Sequence, residues 1–553
     1  MFRRKPVLLA AGVAAAVAAI SLTAVGWAQA DTAPAAPTTG IDWATCAGPS
    51  ADLGKQGLQC ATVSVPMDYS RPDGPKITIA ISERPADDPA HKLGVLFTNP
   101  GGPGEDGLWM PLQYGAMQPI GKYYDVIGMD PRGVGQSTPL NCDGAGLPAP
   151  AGIPSRPTDA ELPVAGESAK IFEQACAKGG GDYRQYVTTP NTARDMDYIR
   201  SLLGVDKINY LGVSYGTYLG AYYGQMFPEH LNRSVLDSAL DPNTTWHAQD
   251  YDTVHSVKYN FDAWARWVAD RDGVFHLGDT AADVRASVDR LADAVRTKPV
   301  AGFNDQTSFD ESFGVFTRYR PLWASFAKNL SGALAELNGA KPNPALADSD
   351  ARAMAAATKS DANSDLFNGV YQAVTCEWDW PTDLDGYYRD MARVRDTFPY
   401  SGTVNSMAPT NCAFRSFTPE PLQPIGPRQY PEGLVVQAQG DTNTAYVDGV
   451  AMADTLDNAL ISVPNDGTHG QYNQIPHDGQ ILKPNTCVND RVNSYLIDGV
   501  LPPSRTSCAT SSPPAAIPPT STPIDVDGLI PDLGQLTQDL LGDLLPVNGL
   551  NRR

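Results

Sequence analysis

The chain has 553 residues and a mass of 59.0 kDa, more than one compact core holds, so one large domain with a major insertion, or two domains, is expected. With 42% hydrophobic and 19% charged residues it can bury a core, which excludes wholesale disorder and fibrous repeats. A net charge of −21 leaves no basic surface for phosphates, so neither nucleic acid nor an anionic membrane is an expected partner.

At the N-terminus, Arg3, Arg4 and Lys5 precede an apolar run from Val7 to Ile20, and Ala28-Gln29-Ala30 supplies the small-x-small pattern of a signal-peptidase site. Residues 1–30 therefore read as a signal peptide. The run is short for a span of about 20 residues, so the mature protein is expected to be secreted and extracellular, without stable membrane insertion. Cleavage removes three basic residues and no acidic one. Eight cysteines remain, an even number that reads as disulfides in an exported chain. Short loops order the least chain on closure, which favours Cys46–Cys60, Cys142–Cys176, Cys376–Cys412 and Cys487–Cys508. The absence of CxxC pairs and of HExxH argues against a metal centre.

Along the chain, short apolar runs bounded by turn residues predict buried parallel strands within Gly94–Gly104, where the strand ends in a loop, and at Tyr124–Asp130, Ile208–Ser214, Arg233–Asp237, Leu434–Ala438 and Ala459–Val463. Helical periodicity separates several of them, as at Thr192–Leu203 and Val447–Leu456, which predicts an α/β fold. Residues 31–240 form the first part of this core and 431–508 the second. Between them, 241–430 is helix-like and holds six of the nine tryptophans, the pattern of a cap insertion; Trp264 and Trp267 are expected in that insertion's own core. Residues 509–553 read as a Pro/Ser-rich linker and a short amphipathic tail.

The sharpest chemical signal is Gly212-Val213-Ser214-Tyr215-Gly216, which lies between a strand and a helix, the context a nucleophile elbow requires. A serine nucleophile needs donors for the oxyanion. Asn99-Pro-Gly-Gly-Pro-Gly104 can offer only glycine amides, and Gly102, with the amide of Tyr215, is the expected pair. In the chain order serine, acid, base, Asp441 and His469 follow two later strands. Asp237 and Asp241 compete as the acid, and His477 as the base. Asp130 and Arg132 are expected to brace their loop by pairing with each other.

These motifs resemble those of the secreted tripeptidyl aminopeptidases of actinobacteria, relatives of the prolyl aminopeptidases. The resemblance runs from about Trp43 to Cys508 and also rests on Val65-Pro-Met-Asp-Tyr69, Asp130-Pro-Arg-Gly-Val-Gly-Gln-Ser137, Thr375-Cys-Glu-Trp-Asp-Trp-Pro381 and Tyr495-Leu-Ile-Asp-Gly-Val-Leu-Pro502. It implies an α/β-hydrolase fold with a mostly parallel sheet, helices on both faces and a largely helical cap. It also implies a serine exopeptidase that takes short peptides, typically tripeptides, from the free N-termini of peptides or proteins, with no cofactor. Two positions depart from the pattern: Thr444 is followed by Ala445 instead of proline, and Glu105-Asp106 replaces a loop where serine is common. An exopeptidase must recognise an ammonium group, for which Glu377 and Asp379 are the expected residues, with Glu105 and Asp106 behind them. A secreted esterase of the same fold is the alternative, since it would share the triad without needing an amine anchor.

Overall fold

The computed structural model describes residues 40–116, 118–142, 152–300, 302–341, 364–472 and 482–519. The signal-peptide segment, His477 and the leucine-rich tail lie outside the described residues.

The apolar runs become the centre of one sheet. Its strands are β1 (Ala44–Thr45), β2 (Gln59–Pro66), β3 (Lys76–Arg84), β4 (Gly94–Asn99), β5 (Tyr124–Met129), β6 (Ile208–Val213), β7 (Leu231–Asp237), β8 (Leu434–Ala438), β9 (Ala459–Val463) and β10 (Arg505–Ser507). They lie in the order β1-β2-β3-β5-β4-β6-β7-β8-β9-β10. From β5 to β10 every pairing is parallel, while β1, β2 and β3 add an antiparallel edge. Successive residues of the central strands enter opposite layers, as the period-two pleat requires. Phe97, Tyr210, Val435 and Leu460 pack in one buried cluster, and Leu96, Leu211, Val436 and Ile461 in the other. Both faces are covered, which is why these strands read as continuous apolar runs.

The longer helices are α1 (Leu162–Gly180), α2 (Thr189–Leu202), α3 (Tyr215–Met226), α4 (Trp246–Ala269), α5 (Ala281–Val295), α6 (Gln306–Arg318), α7 (Trp323–Leu337), α8 (Ser364–Thr375), α9 (Leu384–Thr397), α10 (Tyr446–Leu456) and α11 (Thr486–Asp498). Helices α2, α3 and α10 cover one face of the sheet and α11 the other. Helices α4 to α9 all fall between β7 and β8. Three of them start at side-chain caps: Thr245 accepts from the Ala248 amide, Thr280 from Asp283 and Asp305 from Ser308. Trp264 is fully buried among Phe261, Phe313 and Phe326, and Trp267 packs on Phe275 and Trp323. Trp246 and Trp378 behave differently: their rings lie 6.3 Å from Tyr215 and 5.7 Å from Tyr218, at the start of α3.

All four nearest-neighbour disulfides form, and no cysteine among the described residues is free. Two expectations need correction. Asp130 and Arg132 do not pair: Arg132 is buried in a two-pronged contact with Asp195 (2.7 and 2.8 Å), whereas Asp130 accepts the amides of Gly107 and Gln136. Asp130 thus acts as an acceptor for backbone amides; burial pushes it up to about 7 against the pull of those amides. The start of the Pro/Ser-rich stretch is also packed, not a free spacer. Ile517 is 3% exposed in the α4–α7 core, its carbonyl accepts from Arg271 (2.7 Å), and Thr510 donates to Asp466 (2.6 Å). Ile517→Ala is expected to destabilise the protein by about 2 kcal/mol or more, read by urea unfolding; an unchanged midpoint would contradict this packing.

Candidate active site

The parallel strands run in one direction, so the loops after β4, β5, β6, β7, β8 and β9 gather at one end of the sheet. The chain passes from β4 to β5 on one side and later to β6 on the other side of β4, which opens a crevice between the β4 and β6 loops, the usual ligand position in open α/β sheets.

Ser214 occupies that crevice edge between β6 and α3, with φ 58° and ψ −129°, a conformation costly for a residue with a β-carbon. Close packing enforces it: a β-carbon on Gly212 would lie 2.3 Å from the Gly216 carbonyl oxygen. The glycine loop after β4 packs directly on this turn. A β-carbon on Gly101 would lie 2.5 Å from the Val213 carbonyl and 3.0 Å from the Tyr215 amide nitrogen. Gly102 adjoins that contact, and neither its amide nor that of Tyr215 donates to another group among the described residues. Two donors are thus left unused beside Ser214.

Asp441, in the loop after β8, is fully buried, and its Oδ2 lies 2.7 Å from His469 Nδ1 in the loop after β9. The rest of the carboxylate is also occupied. Oδ1 accepts from the Asn443 and Thr444 amides and from Arg318 Nη2, and Oδ2 from the Thr444 hydroxyl. Burial alone would raise its pKa; the His469 ring and Arg318 outweigh that and hold the carboxyl below its usual range.

Of the competing acids, Asp237 has another task. Its Oδ2 accepts the Tyr472 amide (2.7 Å), its carbonyl accepts the Ser214 amide (3.0 Å), and Ser238 Oγ accepts the Gly470 amide (2.8 Å). The serine turn and the histidine loop therefore hang from the same two residues. Burial pushes Asp237 up to about 6 against the pull of the Gln471 and Tyr472 amides. Asp241 caps the Asn243 amide and makes no hydrogen bond to His469. Ala445, where proline was expected, uses its amide: it donates to the buried Asp448 (2.9 Å) at the start of α10, a bond proline could not make.

The acidic candidates separate clearly. Glu377 is 5% exposed; its Oε1 accepts the Thr189 amide, and its Oε2 has no hydrogen-bond partner among the described residues. Thr189 Oγ1 in turn lies 2.7 Å from the Tyr215 hydroxyl, which links Glu377 to the residue beside Ser214. Burial raises the Glu377 pKa well above the carboxylate range. Glu105 is exposed in the loop after β4; desolvation raises its pKa while His469 opposes the shift. Asp106 and Asp379 face solvent. Sequence reasoning passed over Asp250, one helical turn after Trp246 on α4. It makes no hydrogen bond among the described residues, and burial pushes it up to about 8 near Tyr371 and Tyr387. It also passed over Arg318.

Residues 94–349 match the alpha/beta hydrolase fold family and residues 398–508 the TAP-like protein family. The protein is a serine hydrolase of the α/β-hydrolase fold. Across 87% of its length it is 33% identical to the tripeptidyl aminopeptidase of Streptomyces coelicolor, covering 88% of that chain. It therefore belongs to the tripeptidyl aminopeptidase family. It is also 29% identical to the serine protease Hip1 of Mycobacterium tuberculosis, over 89% of this chain and 96% of that one. A protein of the same species named carboxylesterase B is 31% identical over 84% of this chain and 89% of its own.

Proposed function

We propose that the protein is a secreted exopeptidase that releases short peptides, tripeptides foremost, from free N-termini through an acyl-enzyme. Ser214 Oγ attacks the scissile carbonyl carbon while His469 Nε2 takes the Oγ proton and delivers it to the departing amine. Asp441 holds the Nδ1–H, which keeps Nε2 free to accept. The amides of Gly102 and Tyr215 donate to the oxyanion. Water then attacks the ester, His469 takes its proton, and Ser214 leaves with that proton as the peptide acid is released. The helical segment 241–430 acts as the cap, with Trp246 and Trp378 against the start of α3.

The observation that carries the amine-directed reading is Glu377. A buried carboxyl oxygen without a partner is costly, and a substrate ammonium would supply both the missing donors and the opposite charge. Asp250, which makes no hydrogen bond among the described residues, is a second acid available to the same amine. Capture of the ammonium requires Glu377 to give up its proton, so KM for free-amine peptides should fall as pH rises, until the substrate amine itself deprotonates.

The test is kcat/KM for a tripeptide anilide and its N-acetyl form on wild type, Glu377→Gln, Asp250→Asn, Asp379→Asn and Glu105→Gln. Glu377→Gln should weaken the free-amine reaction by about 1.5–3 kcal/mol, the worth of a charge-assisted hydrogen bond, and leave the acetylated reaction unchanged. Equal hydrolysis of both forms by wild type would favour the second reading, a secreted esterase, for which the carboxylesterase B likeness speaks. If only Glu105→Gln flattens the ratio, the anchor lies on the glycine-loop side.

A further inference from the structure

We propose that Arg318 is a positioning residue for the Asp441–His469 pair, so that the segment between β7 and β8 supplies part of the catalytic apparatus as well as covering it. The inference rests on the reading of Asp441 and His469 as acid and base. Arg318 is the last residue of α6, and its side chain is 10% exposed. Its donors reach two different loops. Nε donates to the Gly467 carbonyl (2.6 Å), two residues before His469; Nη1 donates to Asn443 Oδ1 (2.7 Å); Nη2 donates to Asp441 Oδ1 (3.0 Å). One rigid guanidinium plane therefore fixes the spacing between the acid loop and the base loop, a task for which a flexible ammonium is poorly shaped.

The bond to Oδ1 also decides which way the carboxylate faces. With Oδ1 held by Arg318 and the Asn443 and Thr444 amides, Oδ2 is the oxygen left for the imidazole. The backbone reinforces the arrangement: a β-carbon on Gly467 would lie 2.2 Å from the Arg318 carbonyl oxygen. A second polar link runs beside the first. Arg320 Nη1 donates to the Arg318 carbonyl (2.6 Å) and to Asn260 Oδ1 (2.8 Å), and Asn260 Nδ2 on α4 donates to the carbonyl of Gly440, next to Asp441. Residues on α4, at the end of α6 and just after it thus hold the acid loop through polar contacts. Buried ion pairs contribute little net stability, so a buried arginine at this point is better explained by the geometry of the pair it holds.

The test compares Arg318→Ala and Arg318→Lys with wild type, with Asp441→Asn and His469→Ala as controls. Arg318→Ala should lower kcat on the order of 100-fold, the cost of a small misplacement of reacting groups, with KM unchanged. Fluorophosphonate labelling should slow in parallel, and millimolar guanidine should restore part of the rate. Arg318→Lys, which reaches fewer of the acceptors, should fall between. If Arg318→Ala keeps wild-type kcat, or Arg318→Lys lowers the melting temperature without touching kcat, Arg318 only holds the fold together and the proposal is overturned. If Arg318→Ala does not fold, the lysine variant alone decides. Full activity in the Asp441→Asn and His469→Ala controls would instead remove the acid–base reading on which the proposal stands.

Discussion

Replacing Ser214 with alanine is expected to abolish covalent labelling by a fluorophosphonate and to lower kcat by about a million-fold, the scale on which a triad acts as a unit. The variant should fold like wild type. Alanine also carries a β-carbon, so the strain at φ 58° is the same in both proteins, and the Ser214 side chain makes no capping hydrogen bond to α3 that alanine would lose. His469→Ala should be nearly as inactive. A labelled Ser214→Ala protein would move the nucleophile elsewhere, and a fully active His469→Ala protein would move the base to His477.

Asp441→Asn carries the second large effect, a fall in kcat of about 10⁴-fold, and the geometry says why. Five donors converge on the Asp441 carboxylate: the Asn443 and Thr444 amides, the Thr444 hydroxyl, Arg318 and His469. An asparagine amide brings two donors of its own. Turned toward Arg318 and the backbone amides, its NH₂ meets donors; turned toward His469, it forces the ring into the tautomer whose Nε2 carries hydrogen and cannot accept the serine proton. A variant within tenfold of wild type would show that Asp441 is not the orienting acid.

The loops that carry Ser214, Asp441 and His469 were legible because each follows an apolar run, and strands buried on both faces advertise themselves in that way. The same signal misses β2 and β3. Lys76-Ile-Thr-Ile alternates between an open face and a buried one before the strand is buried from Ile79 to Ser82, and such a short alternation in an antiparallel edge is a weaker signal than a continuous run. Asp130 and Arg132 illustrate a different limit. Adjacency in sequence made them look like partners, yet Arg132 finds Asp195, 63 residues away, because that carboxylate is buried opposite it. Arg318 reaches Asp441 across 123 residues, and nothing in α6 itself marks its last residue for that contact. Asp250 was hidden for the same reason: its lack of partners is a property of the packed molecule and not of its neighbours in the chain.

Mass-spectrometric product analysis of one unblocked synthetic peptide and its N-acetylated twin separates an amine-directed exopeptidase from the alternatives. The free peptide is expected to lose successive tripeptides from its N-terminus, the acetylated twin to remain intact, and Ser214→Ala to leave both untouched. Internal cleavage, or equal processing of the two peptides, would contradict the amine-directed reading.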